Sequence, residues 1–309
     1  MTESLPARIV DEKILLVGAT GNVASRLLPI LAESNQVFAL ARYSKPGSKA
    51  EVESKGAEAI RFDLGDPDLD VVPDDCSVVL NFAVDRDDGG DFNRQMRVSA
   101  EGTGQLMSCC TNASAFFQCS STAVYQAAGD ASVSESSPLG DHHRAQNPTY
   151  SIGRIAAEAA ARTCAAVFRI PTVIARLGVP YGSVWGFPAR DLSSLMSGRR
   201  LAVHPDDPQW FSPIHEDDIV ATLTGLVKAA SVPALVVNWG GDEQVRRRSW
   251  CDFMAERLGV PAAYDPDPAT YRGLRADTTL RRSITGPTTV PWRVGMSRMI
   301  EAAMSVEPG

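Results

Sequence analysis

KILLVGATGNVASRLLPILAES, Lys13 to Ser34, is the stretch on which the fold turns. Ile14–Val17 is a short apolar run of strand character, and Val23, Leu27, Leu28 and Leu31 then recur at helical spacing. Between them lies Gly18-Ala19-Thr20-Gly21-Asn22-Val23-Ala24, a GxxGxxA variant of a dinucleotide-binding turn. Glycine there permits a tight turn and lets backbone N–H groups approach a pyrophosphate, whose charge a helix N-terminus favours. Gly18, Thr20, Gly21, Asn22 and Val23 are therefore candidate cofactor contacts.

Working outward, the pattern repeats. VFALAR (Val37–Arg42), AIRFDL (Ala59–Leu64) and SVVLNFAV (Ser77–Val84) read as further strands. A helix over Met96–Cys110 follows, then the strand AFFQCSS (Ala115–Ser121), a helix beginning near Tyr150, and a sixth strand within VFRIPTVIARLG (Val167–Gly178). This alternation predicts an α/β fold of the Rossmann type, a doubly wound parallel sheet that binds ligands beyond the carboxyl ends of its strands. VPYGSVWGFPARD and HPDDPQWFSPIHEDD are irregular, and regularity returns with a helix over Asp217–Ala230 and a strand at Leu235–Trp239. The expected division is residues 1–178 plus 213–240 for the NAD(P)-binding domain. Residues 179–212 plus 241–309 form a smaller, discontinuous C-terminal substrate lobe.

The chain has 309 residues, 44% of them apolar and 22% charged, ordinary globular usage. A net charge of −7 gives no footprint for nucleic acid, and Arg246-Arg247-Arg248 is too short a run to reverse that. Acidic residues precede the first apolar run, unlike a secretory leader, and Lys228 interrupts the longest apolar stretch, so neither a signal peptide nor a membrane span is expected. Six cysteines without metal-binding spacing suggest reduced thiols in a soluble, cytoplasmic protein.

Arg42 closes the second strand, where a carboxylate would accept from a ribose hydroxyl and an arginine accommodates a 2′-phosphate. With Lys45 close behind, this favours NADP(H), NAD(H) remaining open. Asp63-Leu64 ends the third strand and could receive the adenine amino group; alternatively, Asp63 caps a turn before Pro67.

CSSTAVYQ (Cys119–Gln126), ESSPLGD (Glu135–Asp141), YSIGRIAAEAAAR (Tyr150–Arg162), ARLGVPYG (Ala175–Gly182), FSPIHEDDIV (Phe211–Val220) and VVNWGGDE (Val236–Glu243) occur in this order. Together they resemble the extended short-chain dehydrogenase/reductases, the NAD(P)-dependent epimerase/dehydratase family. The resemblance implies that Ser121 polarises the reacting oxygen and that Tyr150 is the acid/base. It also implies that Phe82, Ala83, Leu177 and Val179 line the cofactor, and that helices flanking the sheet could form a homodimer. It departs at Arg154, which stands where the family has a lysine, and at Val179, which replaces the asparagine of an RxxNxYG-like segment.

The residues support these roles on their own terms. A phenol with pKa roughly 10 is a poor base until a cation stabilises its phenolate, and Arg154 lies one helical turn beyond Tyr150. The alternative turns Arg154 outward to pair with Glu158 on the helix surface. His142-His143 could line the pocket or sit on a polar surface loop. His204 and His215 are too isolated to be ligands, and Asp217-Asp218 suits a helix start better than a metal. Trp185, Phe187, Trp210 and Phe211 suit a pocket wall or lobe packing, and Arg190, Arg199, Arg246 and Arg272 could meet a diphosphate. The leading expectation is an NADP(H)-dependent oxidoreductase moving hydride to or from a carbonyl or secondary alcohol carbon of a small molecule. The alternatives are a sugar-nucleotide epimerase or dehydratase that recycles its cofactor, and a non-catalytic NADP(H)-sensing protein.

Overall fold

The structure, a computed structural model, describes residues 8–85, 90–205 and 209–305. Its first half contains β1 (Lys13–Val17), α1 (Ala24–Ala32), β2 (Gln36–Ala41), α2 (Ser48–Ser54), β3 (Glu58–Arg61) and β4 (Val78–Asn81). There follow α3 (Phe92–Met96), α4 (Gly102–Cys109), β5 (Ala115–Ser121), β6 (Ser132–Val133), α5 (Tyr150–Phe168) and β7 (Thr172–Leu177). Beyond them come β8 (Val179–Gly182), β9 (Trp185–Gly186), α6 (Phe187–Met196), β10 (Leu201–Val203), β11 (Trp210–Phe211), β12 (Pro213–His215) and α7 (Glu216–Lys228). The chain continues through β13 (Leu235–Trp239), β14 (Val245–Arg246), α8 (Arg247–Leu258), β15 (Tyr264–Pro266), β16 (Arg275–Ala276), α9 (Thr279–Thr285) and α10 (Trp292–Ser305).

Seven strands form one sheet in the order β13-β7-β5-β4-β1-β2-β3, every pair parallel. Strands covered on both faces read as continuous apolar runs, as Ile14–Val17 does. Leu27, Leu31, Ile219 and Leu223 of α1 and α7 bury one face, while Leu106, Met107, Ala161 and Ala165 of α4 and α5 bury the other. The order reverses between β1 and β4, and such a switch point opens a crevice at the carboxyl edge.

A separate apolar cluster unites Leu192, Leu201, Phe211, Trp250, Met254 and Met296, all beyond β7. β12 pairs with β8 rather than with the large sheet, and β9 completes that three-stranded group.

Several elements differ from expectation in their ends. The sixth strand begins at Thr172, because the alanine-rich α5 runs on through Val167 and Phe168 until Arg169 adopts φ 59° and Pro171 bars further helix. The strands at Ala59–Leu64 and Ser77–Val84 shorten to Glu58–Arg61 and Val78–Asn81, since their last residues enter the turns at the carboxyl edge. The helix expected from Met96 starts at Phe92, where the Asp91 carboxylate accepts from the Arg94 amide at 3.0 Å. It then loosens into a π-helical turn at Arg97–Glu101 before α4. Gly102 permits close passage there, because a Cβ would collide with the Leu64 carbonyl.

Candidate active site

The glycine turn lies at the switch point. Gly18 has φ 78°, and a Cβ on it would lie 2.8 Å from the Ala83 backbone, so β1 and the segment after β4 approach only because a side chain is missing. Thr20, Gly21 and Asn22 are exposed, and Val23 provides no side-chain cap to α1. The Ser25 and Arg26 amides are met by the Gly21 and Val23 carbonyls, which leaves the amides of Asn22, Val23 and Ala24 as the cradle that fits the pyrophosphate of a nicotinamide dinucleotide. Arg42 lies just past β2, exposed, with Lys45 exposed nearby. Asp63 caps the turn, its Oδ1 accepting from the Gly65 amide at 3.0 Å, while Leu64 is buried against Gly102.

Around the neighbouring strand ends, the Phe82 ring stacks on Phe117 at 5.3 Å and meets Trp239 at 6.4 Å. Ser121 ends β5, and its Oγ accepts from the Ala123 amide at 3.2 Å, which leaves its O–H free to donate. Leu177 is buried at the end of β7. Ser121, Thr122, His142, His143, Gly178, Val179, Phe211 and Ser212 line one cleft with Gly273, Leu274 and Ala276.

Tyr150 opens α5 beside this cleft. Its ring stacks on His143 with centroids 6.4 Å apart, and His143 in turn packs on Tyr271 at 4.5 Å and edge-on to His142 at 4.2 Å. The two histidines are therefore part of the cleft wall and not a surface loop. Burial and the neighbouring His142 push the His143 pKa down to about 3, so its imidazole is neutral at physiological pH.

Arg154 turns inward. It is 2% exposed, and its guanidinium donates to the Ala83 carbonyl at 3.1 Å, the Ser99 hydroxyl at 3.1 Å and, at 3.5 Å, the Cys119 carbonyl. Gly153 makes this possible: a Cβ there would strike Gln95, so the small residue lets α5 close onto α3 and the π-helical turn that presents Ser99. The outward pairing with Glu158 does not occur, because Glu158 is itself buried and belongs to Arg176. Its carboxylate accepts from Arg176 at 2.9 and 2.7 Å and from the Ser120 hydroxyl at 2.6 Å. Tyr125 extends this network by accepting from Arg176 at 2.8 Å and donating to Asn238 at 2.5 Å. Among the described residues, Arg154 meets no carboxylate and no hydrogen bond joins it to Tyr150.

Other candidates fall elsewhere. Phe211 lines the cleft, while Phe187 packs on Trp250 and Tyr271, and Trp210 lies beneath the guanidinium groups of Arg246 and Arg275. Arg190, Arg199, Arg246 and Arg272 are exposed and are not among the residues that line the cleft, although Arg272 precedes the lining Gly273. His215 caps α7, and Asp218 holds the Thr289 and Val290 amides at 2.7 and 3.1 Å. Sequence reading missed Glu216, which accepts from Arg26 at 3.0 Å and Trp185 at 2.6 Å and so ties α1 to β9. Burial works to raise its pKa, but the Trp185, Ser183 and Arg26 donors hold it below the usual range. It also passed over Thr122 and Ser212, although both lie within the quoted family-like segments.

No helix among the described residues is long and apolar enough to cross a membrane. A search of curated proteins gave no match. Solved structures share the fold. MoeE5 in complex with UDP-glucose and NAD is 24% identical, with a TM-score of 0.80 over 94% of this chain and 98% of that one. UDP-glucuronic acid 4-epimerase from Bacillus cereus, in complex with UDP-glucuronic acid and NAD, is 21% identical, with a TM-score of 0.80 over 95% and 99%. dTDP-glucose 4,6-dehydratase from Bacillus anthracis, in complex with NAD, is 16% identical, with a TM-score of 0.79 over 96% and 97%. The family model for the NAD dependent epimerase/dehydratase family matches residues 14–232, more than half of the sequence, so the chain belongs to that family and is an enzyme of its kind.

Proposed function

We propose that the chain is a sugar-nucleotide epimerase in which a nicotinamide dinucleotide is a recycled hydride carrier. The observation that carries this reading is the convergence of Ser121, at the end of β5, with the His143–Tyr150 stack on one cleft beside the β1–β4 switch point. The names of the structural neighbours support it over the simpler oxidoreductase. Residues 1–178 with 213–240 serve as the dinucleotide-binding part and residues 179–212 with 241–309 as the substrate lobe.

Gly18, Thr20, Gly21, Asn22 and Val23 would hold the pyrophosphate, with Asp63 and Leu64 near the adenine. Arg42 selects NADP(H) through its 2′-phosphate, and Phe82, Ala83, Leu177 and Val179 line the nicotinamide half. The bound dinucleotide supplies hydride acceptance and return. Tyr150 takes the proton of the substrate hydroxyl as the carbon that bears it loses hydride, and gives that proton back when hydride returns to the opposite face. Ser121 donates to the same oxygen and stabilises the charge that develops on it. Arg154 supplies fixed positive charge behind the site. It cannot pass a proton, so any proton path runs through water and ribose hydroxyls.

The test incubates the purified protein with UDP-glucose and with UDP-glucuronic acid and resolves the epimers by NMR. Interconversion without net cofactor consumption is the expected result. Stoichiometric NADPH oxidation with a carbonyl substrate would replace this reading by the oxidoreductase. Cofactor binding without either reaction would leave the sensing protein.

A further inference from the structure

Two buried polar atoms in the cleft have no partner within the protein: His142 Nε2 and Ser212 Oγ. His142 Nδ1 lies 2.8 Å from the Tyr125 carbonyl oxygen, which can only accept, so Nδ1 bears the proton and Nε2 presents a lone pair. The ring cannot turn away easily, since His143 packs edge-to-face against it at 4.2 Å. Ser212 is 3% exposed and wedged between two glycines, where a Cβ on Gly178 would lie 3.0 Å from the Ser212 carbonyl and one on Gly240 3.0 Å from its Cβ. Unpartnered buried polar atoms are rare in native folds, and leaving one unmet costs more than the modest net gain of making its bond. Here both residues line the cavity that Ser121 lines.

We propose that His142 and Ser212 are the specificity-determining pair for the sugar ring: His142 Nε2 accepts from one ring hydroxyl and Ser212 Oγ bonds another. The assignment rests on the sugar-nucleotide reading and deepens it. With the Nδ1–H held by the Tyr125 carbonyl, Nε2 of a neutral imidazole is an acceptor only, so it demands an O–H donor and rejects an analogue that lacks one. Burial and the nearby Arg272 hold the His142 pKa below its ordinary value despite the Tyr125 bond, which keeps the lone pair available. His143, already packed on aromatic rings, fixes the geometry as a positioning residue.

The experiment has two arms. In the first, the wild-type protein, His142→Phe and Ser212→Ala are titrated calorimetrically, with the cofactor present, against UDP, UDP-glucose and its 2-, 3-, 4- and 6-deoxy analogues. The wild type should bind at least one analogue about 10–100-fold more weakly than UDP-glucose, as expected when a buried acceptor is left unmet. That penalty should shrink below about threefold in His142→Phe, and the penalty for a different hydroxyl should do so in Ser212→Ala. Equal penalties in wild type and both variants would overturn the pair. The second arm uses the wild type alone, so it does not depend on the variants folding. Histidine nitrogen NMR should show the His142 Nε2 signal displaced by UDP-glucose or by high concentrations of D-glucose. Indifference to both sugars would overturn the proposal. Displacement by glucose, with UDP-glucose binding no better than glucose, would support the hydroxyl pair while rejecting the nucleotide reading.

Discussion

Arg154 and Arg176 lie on opposite sides of one small region at the carboxyl edge of the sheet, both 2% exposed, in opposite electrostatic circumstances. Arg176 faces a bidentate carboxylate, Glu158, with Tyr125 Oη and the Glu135 carbonyl completing its shell. Arg154 faces two carbonyls and a hydroxyl, and its Nε has no partner. A buried ion pair with its lone pairs satisfied holds structure together, whereas a buried cation among neutral acceptors keeps its charge directed at whatever enters. Arg176 thus marks a side closed by its own carboxylate, and Arg154 a side left open, with no carboxylate against it among the described residues. Cys119 registers the field of the open side: burial pushes its thiol up to about 12 although Arg154 pulls the other way.

The largest effect should come from the open side. Tyr150→Phe should lower turnover of UDP-glucose about 10²–10⁴-fold while dinucleotide affinity and melting temperature stay near wild type. A loss under tenfold would remove Tyr150 from the chemistry.

On the closed side, Arg176→Met strands the Glu158 carboxylate and should cost about 3–5 kcal/mol of stability in urea denaturation at neutral pH. Arg154→Met strands no carboxylate and should cost less, about 1.5–3 kcal/mol, the scale of lost hydrogen bonds to a charged group. It should weaken dinucleotide binding about tenfold, the effect of losing one charge-assisted contact. Equal stability losses in the two variants would erase the contrast.

Farther along the crevice, Arg42→Asp should shift the NADPH-to-NADH affinity ratio toward NADH by about tenfold, since it exchanges a favourable charge contact for a repulsive one. An unchanged ratio would place Arg42 in solvent only.

The smallest effect concerns acid. The folded-state pKa of His143, about 3, lies below the ordinary 6.5, so below pH 6.5 the unfolded chain takes a proton that the folded chain refuses. Its contribution is fully present above pH 6.5 and is lost as pH falls toward 3. The groups packed on it are His142, Tyr150 and Tyr271, none of them a carboxylate that could favour the imidazolium. His143→Phe should therefore lessen the fall in denaturation midpoint between pH 7 and pH 4.5. The same fall in both proteins would assign the acid sensitivity elsewhere.

The glycine turn, the strand runs and the start of α5 at Tyr150 were all legible, because each depends on residues within one or two turns of one another. Ser121 and Tyr150 stood out as candidates through segments whose order matched a family, and their roles belong to the proposal. Arg154 was legible as a cation on the face of Tyr150, but its direction was not. That was decided by Gly153 meeting Gln95 and by the π-helical turn that brings up Ser99, 55 positions away in the chain. His142 looked equally suited to a surface loop until the Tyr125 carbonyl and His143 fixed its ring.

What the sequence by itself determined was the alternation of strand and helix and the glycine turn between β1 and α1, since periodicity and glycine chemistry are local. Tertiary structure alone decided how the buried Arg176 and Glu158 and the distant Arg26 and Glu216 are paired. Glu158 could have met Arg154 one turn away along its own helix, yet it meets Arg176 on β7, because α5 packs that face against the sheet and a buried carboxylate takes the partner that can reach it with two bonds. Glu216 and Arg26, 190 positions apart, meet only because the strand order brings α7 beside α1. Such pairings follow from packing and desolvation in three dimensions, and no spacing along the chain encodes them.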